Sequence, residues 1–246
     1  MRIDLRTNFP SVVGRVAVIG QQGPFALAVS MTRSAKDAQA AMRAEEQRVF
    51  DKPTAYALNG NYIKPATKQH LVAELGVKTK SDSKGAPLER VLGPEIYGGG
   101  RFQKGFERML TRAGVLPAGW MAIPAAAARL DGNGNVRRAQ LEQVLAGLEV
   151  SRSEGKGRQP GKRGASRKGV TYFALAKKSR GLKPGIYWQR ETARSSTIRP
   201  VFIFVRSATY RVRLKYDEVG QKAFNNAFPS HFDREAARAI ASATRG

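Results

Sequence analysis

Pro24 opens the longest run of helical periodicity in this chain. Proline suits the first position of a helix, where its missing N–H has no partner to lose. Behind it Phe25, Ala28, Met31, Ala35, Ala38, Met42 and Val49 hold an apolar stripe to about Phe50, with Arg33, Lys36, Arg43, Glu46 and Arg48 on the outer side. Asp51-Lys52-Pro53 ends it, because proline disfavours helical geometry in the residue before it. A helix of some 25 residues is therefore the fixed point of the fold.

Around it the signals are shorter. Val12, Val13, Val16, Val18 and Ile19 suggest a short helix broken at Gly20–Gly23. Tyr62–Pro65 and Leu71–Val77 read as strands, the second weakened by Gly76, and Ser81–Gly85 as a turn. Leu88–Leu92 gives one or two helical turns before Gly93-Pro94, and Gly98-Gly99-Gly100 a flexible break. Phe102, Phe106, Met109 and Leu110 mark a second amphipathic helix to about Ala113; Trp120–Ile123 is extended, and Val136–Leu148 is a third helix.

Residues 151–169 break the pattern. They hold five glycines, seven basic residues, one acid and no large apolar side chain. Burial cannot offset the ordering entropy of such a segment, so a mobile loop is expected. Beyond it the period changes to that of strands: Thr171–Leu175, Ile186–Gln189, Val201–Val205 and Tyr210–Leu214, with turns at Gly181–Gly185 and Ser207-Ala208 and a longer polar loop over Glu191–Arg199. That predicts an antiparallel meander. Phe224, Phe228, Phe232, Ala236 and Ile240 then fall four apart on one helical face, with Pro229 starting a new segment or kinking a single helix. The expected class is α+β: N-terminal helices, an irregular middle segment, a small antiparallel sheet and a C-terminal helix. Residues 1–150 form a mainly helical part, 151–169 the basic loop, and 170–246 the sheet and last helix, joined with 1–150 in one domain.

The charge narrows function more than the fold does. The chain has 246 residues, of which 43 are Lys or Arg and 19 Asp or Glu, a formal net charge of +24. A surplus of that size repels itself unless negative charge sits nearby. Residues 151–213 concentrate it, with 17 basic residues against Glu154 and Glu191. Lys156, Arg158, Lys162, Arg163, Arg167 and Lys168, on glycine-rich backbone that can adapt to a phosphate lattice, are the candidates for contact with a polyanion or an acidic partner. Tyr172, Tyr187 and Trp188 could stack on bases, but alternate strand positions must face a core, and packing is the expected role.

Other constellations are weaker. Asp131-Gly132-Asn133-Gly134-Asn135 with Glu142 at the twelfth position resembles a calcium loop, but Val136 stands where the loop needs glycine, and Arg137 and Arg138 oppose a cation. A tight turn before a helix is the expected reading. His70 and His231 are the two histidines, in no HExxH-type pattern. Gly98–Gly100 followed by Arg101 is not a phosphate-loop motif, and a hinge is expected there. With no cysteine and no paired-carboxylate or nucleophile motif, neither enzymatic activity nor a cofactor is expected. Residues 1–10 lack the apolar core of a secretory leader and no apolar run approaches about 18 residues, so a soluble product that stays in the compartment of synthesis is expected, without membrane contact.

Several short stretches carry a resemblance. Phe25–Ala28, Met31–Asp37, Val49–Thr54, Leu58-Asn59, Ile63–Lys68, Leu182–Tyr187, Pro200–Val205 and the closing helix are similar to tailed-bacteriophage minor tail or tail-completion proteins, of the minor tail protein Z class. The resemblance implies a structural protein of the virion at the tail or head–tail neck, in a homo-oligomeric ring with other neck or tail proteins as partners, assembled in the host cytoplasm and without catalytic residues. In that setting Phe224, Phe228 and Phe232 are candidates for subunit packing. A non-specific nucleic-acid-binding protein is the competing expectation.

Overall fold

The computed structural model describes residues 1–6, 20–79, 86–150, 170–179, 181–192 and 195–243. They form an α+β protein of helices and small antiparallel sheets. The chain divides into two compact units: residues 1–98 with 211–246, and residues 99–210 inserted between them. The division therefore does not follow the expected segments. The C-terminal helix leaves the neighbouring sheet and joins the N-terminal helix, because each carries the apolar face the other needs.

In the first unit, α1 (Gly23–Val49) and α6 (Tyr216–Ala243) lie side by side. Asp37 meets His231 and Arg33 meets Glu235, so they run antiparallel. The α1 face is built of small or slender residues, Leu27, Ser30, Met31, Ser34, Ala35, Ala38 and Met42, all buried. That leaves room for the α6 rings: Phe224, Phe228 and Phe232 stack in series, with centroids 5.7 and 5.8 Å apart. The buried hydroxyls are satisfied on the helix itself, Ser30 Oγ donating to Ala26 O and Ser34 Oγ to Ser30 O. Pro229 sits inside α6 without ending it, since the rings on either side of it are packed in one core.

Against these helices lies an antiparallel sheet in the order β1 (Arg2–Leu5), β3 (Ala73–Val77), β2 (Asn61–Lys64). Leu75 is paired with Ile3 on one side and Ile63 on the other. Gly220 lets α6 approach closely, for a Cβ there would lie 2.9 Å from Ile3 Cδ1. The strand β1 carries no period-2 run long enough to read from sequence. The valine-rich stretch expected as a short helix, and the turn at Ser81–Gly85, fall mostly or wholly outside the described residues. A single turn, α2 (Ala55–Leu58), is capped by Thr54, whose side chain accepts from Ala57 N. Helix α3 (Leu88–Tyr97) runs through Gly93-Pro94 instead of stopping there. Leu88, Leu92 and Ile96 recur every four residues and are all buried, and about 1.5–3 kcal/mol per buried side chain exceeds what the proline costs.

The inserted unit is closed at its ends by a short ribbon, β4 (Gly99–Gly100) paired with β9 (Thr209–Tyr210). The expected glycine break is thus a strand pair, reached through positive φ at Gly98 and Gly99. Between these ends come α4 (Gly105–Arg112), β5 (Met121–Pro124), α5 (Arg138–Gly147), β6 (Val170–Leu175), β7 (Gly185–Thr192) and β8 (Ser195–Val205). The sheet is antiparallel in the order β5-β8-β7-β6. Tyr172, Ile186, Phe202 and Phe204 on it share a core with Leu110, Val115, Leu116, Val144 and Leu145. Two expectations fail here. Glu191–Arg199 is largely strand, the end of a long β7–β8 hairpin. The fourth strand is β5, from upstream, while Arg211–Leu214 is not strand.

Candidate polyanion interface

Residues 99–210 hold 22 Lys and Arg against six acidic residues, and the rest of the chain 21 against 13. The larger part of the surplus is thus gathered on the inserted unit. Of its described cations, Arg101 is tied to Glu107 and Arg138 to Glu142. Arg129, Lys177, Lys178, Lys183, Arg190 and Arg199 have no carboxylate partner among the described residues.

The hairpin sets the geometry. Register pairs Trp188 with Arg199 and Arg190 with Thr197. Since side chains alternate along a strand, these four share one face, with both guanidinium groups on it. Val170, where β6 begins, is paired with Arg190. Residues 151–169, which carry Lys156, Arg158, Lys162, Arg163, Arg167 and Lys168, join Val150 to that point; the six lie outside the described residues. Arg129 lies close enough to Tyr172, two residues on, to act on its hydroxyl electrostatically. At the other end of β6 follow Lys177 and Lys178, then Lys183 beyond the Ser179–Leu182 bridge. The outer edge of β6 is unpaired among the described residues, and cations at both its ends also discourage pairing with another sheet.

The aromatics of this sheet are packing groups. Tyr172 and Tyr187 are buried, and burial pushes both hydroxyls up in pKa. Tyr187 Oη donates to Lys183 O at 2.8 Å, and Phe173 stacks on its ring. Trp188 is partly buried against the same core. Tyr172, Tyr187 and Trp188 therefore offer no row of open rings to bases.

Phe224, Phe228 and Phe232, expected at a subunit contact, are at 0, 0 and 1% exposure inside the first unit. Their surface is taken up by α1, so they cannot also face another copy. Asp131 makes the expected turn: its Oδ1 accepts from Asn133 N and Asn135 N, both at 2.9 Å, and Gly134 takes positive φ. Glu142 is turned to Arg138. His70 closes a turn with Thr67 through the backbone. His231 Nε2 lies 2.6 Å from Asp37 Oδ2. Among the described residues no three His, Asp or Glu side chains converge to hold a metal ion, and no helix is long and apolar enough to cross a membrane.

That Arg190 and Arg199 share a face was not foreseen, because Glu191–Arg199 was expected as a loop; Thr192, Thr197 and Ile198, β-branched and flanking a short turn, were the available signal. Nor was the Arg101–Glu107 pair foreseen, since Lys104 at the helix start is no capping residue that would flag Glu107 three positions on. The chain matches no family model, no curated protein and no solved structure.

Proposed function

We propose that this chain is a structural protein of a tailed-bacteriophage virion, at the tail or the head–tail neck, acting as a homo-oligomeric ring and not as an enzyme. The charge segregation carries the reading. The first unit has the smaller surplus, 21 cations against 13 acids, and can pack beside sister copies. The inserted unit, with 22 cations against six acids, would repel its own kind and calls for a negative neighbour. The sequence stretches that resemble minor tail and tail-completion proteins supply the particle. The neighbour is an acidic virion protein or the DNA that passes the neck.

The test is assembly. A variant with Arg129, Lys177, Lys178, Lys183, Arg190 and Arg199 changed to Gln, in a phage lacking the wild-type gene, should give no complete particles while the purified protein keeps its melting temperature. Complete particles at wild-type yield would overturn the reading. Free nucleic-acid binding is separated by salt: on duplex DNA, removing one phosphate-binding cation should take about 0.9 off the slope of log K against log salt. A chain that binds DNA in this way but is absent from purified particles is instead a non-specific nucleic-acid-binding protein.

A further inference from the structure

The first unit holds a cleft of about 450 Å³ that the proposed function does not use. One wall is the outer stripe of α1: Phe25, Ala28, Val29, Thr32, Arg33 and Lys36, spaced three or four apart. The other is the 66–69 turn. Thr32 fixes one wall to the other, since its Oγ1 donates to Ala28 O at 2.9 Å and accepts from Ala66 N at 3.2 Å. The turn is closed on itself as well, Thr67 N donating to His70 O and His70 N to Thr67 O. The cleft is therefore built before anything enters it, and its size is that of a ligand site, for which about 300–1,000 Å³ is usual.

Its lining has a definite chemistry. Phe25, Ala28, Val29 and Ala66 give an apolar floor. Arg33, Lys36 and Lys68 are its charged members, and among the described residues no carboxylate lines it. Arg33 is already paired with Glu235, a carboxylate that it shares with Arg238. Lys68 lies over the Phe25 ring at 5.1 Å from its centroid, and Lys36 has no ion pair among the described residues. Two ammonium groups at the rim of an apolar cleft are complementary to a carboxylate held next to an apolar side chain.

We propose that this cleft docks an acidic segment of a partner protein, with one apolar side chain against Ala28 and Val29 and a carboxylate between Lys36 and Lys68. A nucleic acid fits less well, because Lys68 lies over Phe25, the one aromatic ring that lines the cleft. Residues 7–19 of this chain fit less well too, having no Asp or Glu to meet the lysines. The proposal stands independently of the virion reading.

The experiment is selection of a displayed random twelve-residue peptide library on the full chain, with counter-selection on the Val29→Asp variant. Selected peptides should place Asp or Glu within a few positions of a large apolar residue. Their affinity should fall about tenfold or more for Lys36→Glu/Lys68→Glu, and change less than about twofold for Lys177→Glu/Lys178→Glu in the other unit, which controls for charge alone. Lys36→Gln/Lys68→Gln, with melting temperatures for all variants, separates loss of the site from loss of the fold. Peptides without acids, equal losses in both lysine pairs, no enrichment over the counter-selection, or displacement of the peptides by duplex DNA from the Lys177→Glu/Lys178→Glu chain would each overturn the proposal.

Discussion

Glu107 holds Arg101 through two bonds, 2.6 Å from Nη2 and 2.7 Å from Nη1, with its own side chain 2% exposed. The same carboxylate accepts from Lys104 N at 2.6 Å and Ala122 N at 2.8 Å. One side chain thus joins the residue after β4, the start of α4 and the edge strand β5. Burial works to raise its pKa, but the Arg101 guanidinium and the two backbone donors outweigh burial and hold it below the usual carboxylate range.

Glu107→Ala should therefore cost about 3–5 kcal/mol, since it leaves the largely buried Arg101 charge without a carboxylate. The depressed pKa gives the pH sense. The stabilisation from Glu107 is present above the unfolded carboxylate range and is lost as pH falls through its folded pKa. Urea unfolding at pH 7 and pH 3 checks both: the variant's deficit should be large at pH 7 and smaller at pH 3.

Glu46 should behave in the opposite way. It is fully buried on α1, and burial raises its pKa although Asn61 Nδ2 donates to it at 2.9 Å. Asn61 Oδ1 in turn accepts from Tyr216 Oη at 3.0 Å. As pH rises above about 4.3, the unfolded chain releases the Glu46 proton before the folded chain does, so stability falls until the folded pKa is passed. Glu46→Gln should gain relative to wild type from pH 3, where both states keep the Glu46 proton, to pH 7 in urea midpoints. A difference that does not change with pH would contradict this.

Gly185 and Gly105 should respond to alanine with opposite signs. A Cβ at Gly185 would lie 2.3 Å from Phe202 O, a backbone atom of the paired strand that cannot turn aside. Gly185→Ala should lower stability by about 1–3 kcal/mol through forced separation of β7 and β8. At Gly105, in the first turn of α4, the nearest atom to a Cβ is the end of Arg108 at 3.9 Å. Gly105→Ala should stabilise by about 0.4–1 kcal/mol by restricting the unfolded chain. Melting temperatures of the two purified variants are the check.

Phe228→Ala should cost about 3–5 kcal/mol by opening a cavity between α6 and α1. Because the ring is internal to the chain, the loss should not depend on protein concentration. A deficit in chemical denaturation that grows on dilution would instead place the ring at a contact between copies.

The helices and the α+β class were legible because their apolar stripes repeat over three or more turns, as from Phe25 to Met42 and from Phe224 to Ala236. The strands β2, β6, β7 and β8 were legible from β-branched and aromatic runs, and β3 from the apolar stretch around Leu71–Val77. What failed had no local signal. Nothing in Phe224–Ala236 says that its partner is α1 and not the preceding sheet, so the division into units was misplaced and the three rings were assigned to the wrong contact. Pro94 read as a stop because the buried stripe Leu88, Leu92 and Ile96 outweighs it only once the core exists. The excess of charge was legible in full. Its concentration over residues 151–213 was legible too; that Arg129 joins this stretch was not, because it does so through the return of residues 125–127 along β8.

The most direct measurement is amine-to-carboxylate cross-linking of purified phage particles, read by mass spectrometry. Lys177, Lys178 and Lys183 should link to acidic residues of other virion proteins, or, where DNA is the neighbour, give no protein links while the inserted unit cross-links to DNA under ultraviolet light. The proposed role is contradicted if the chain is missing from particles, or if those lysines link only to sister copies.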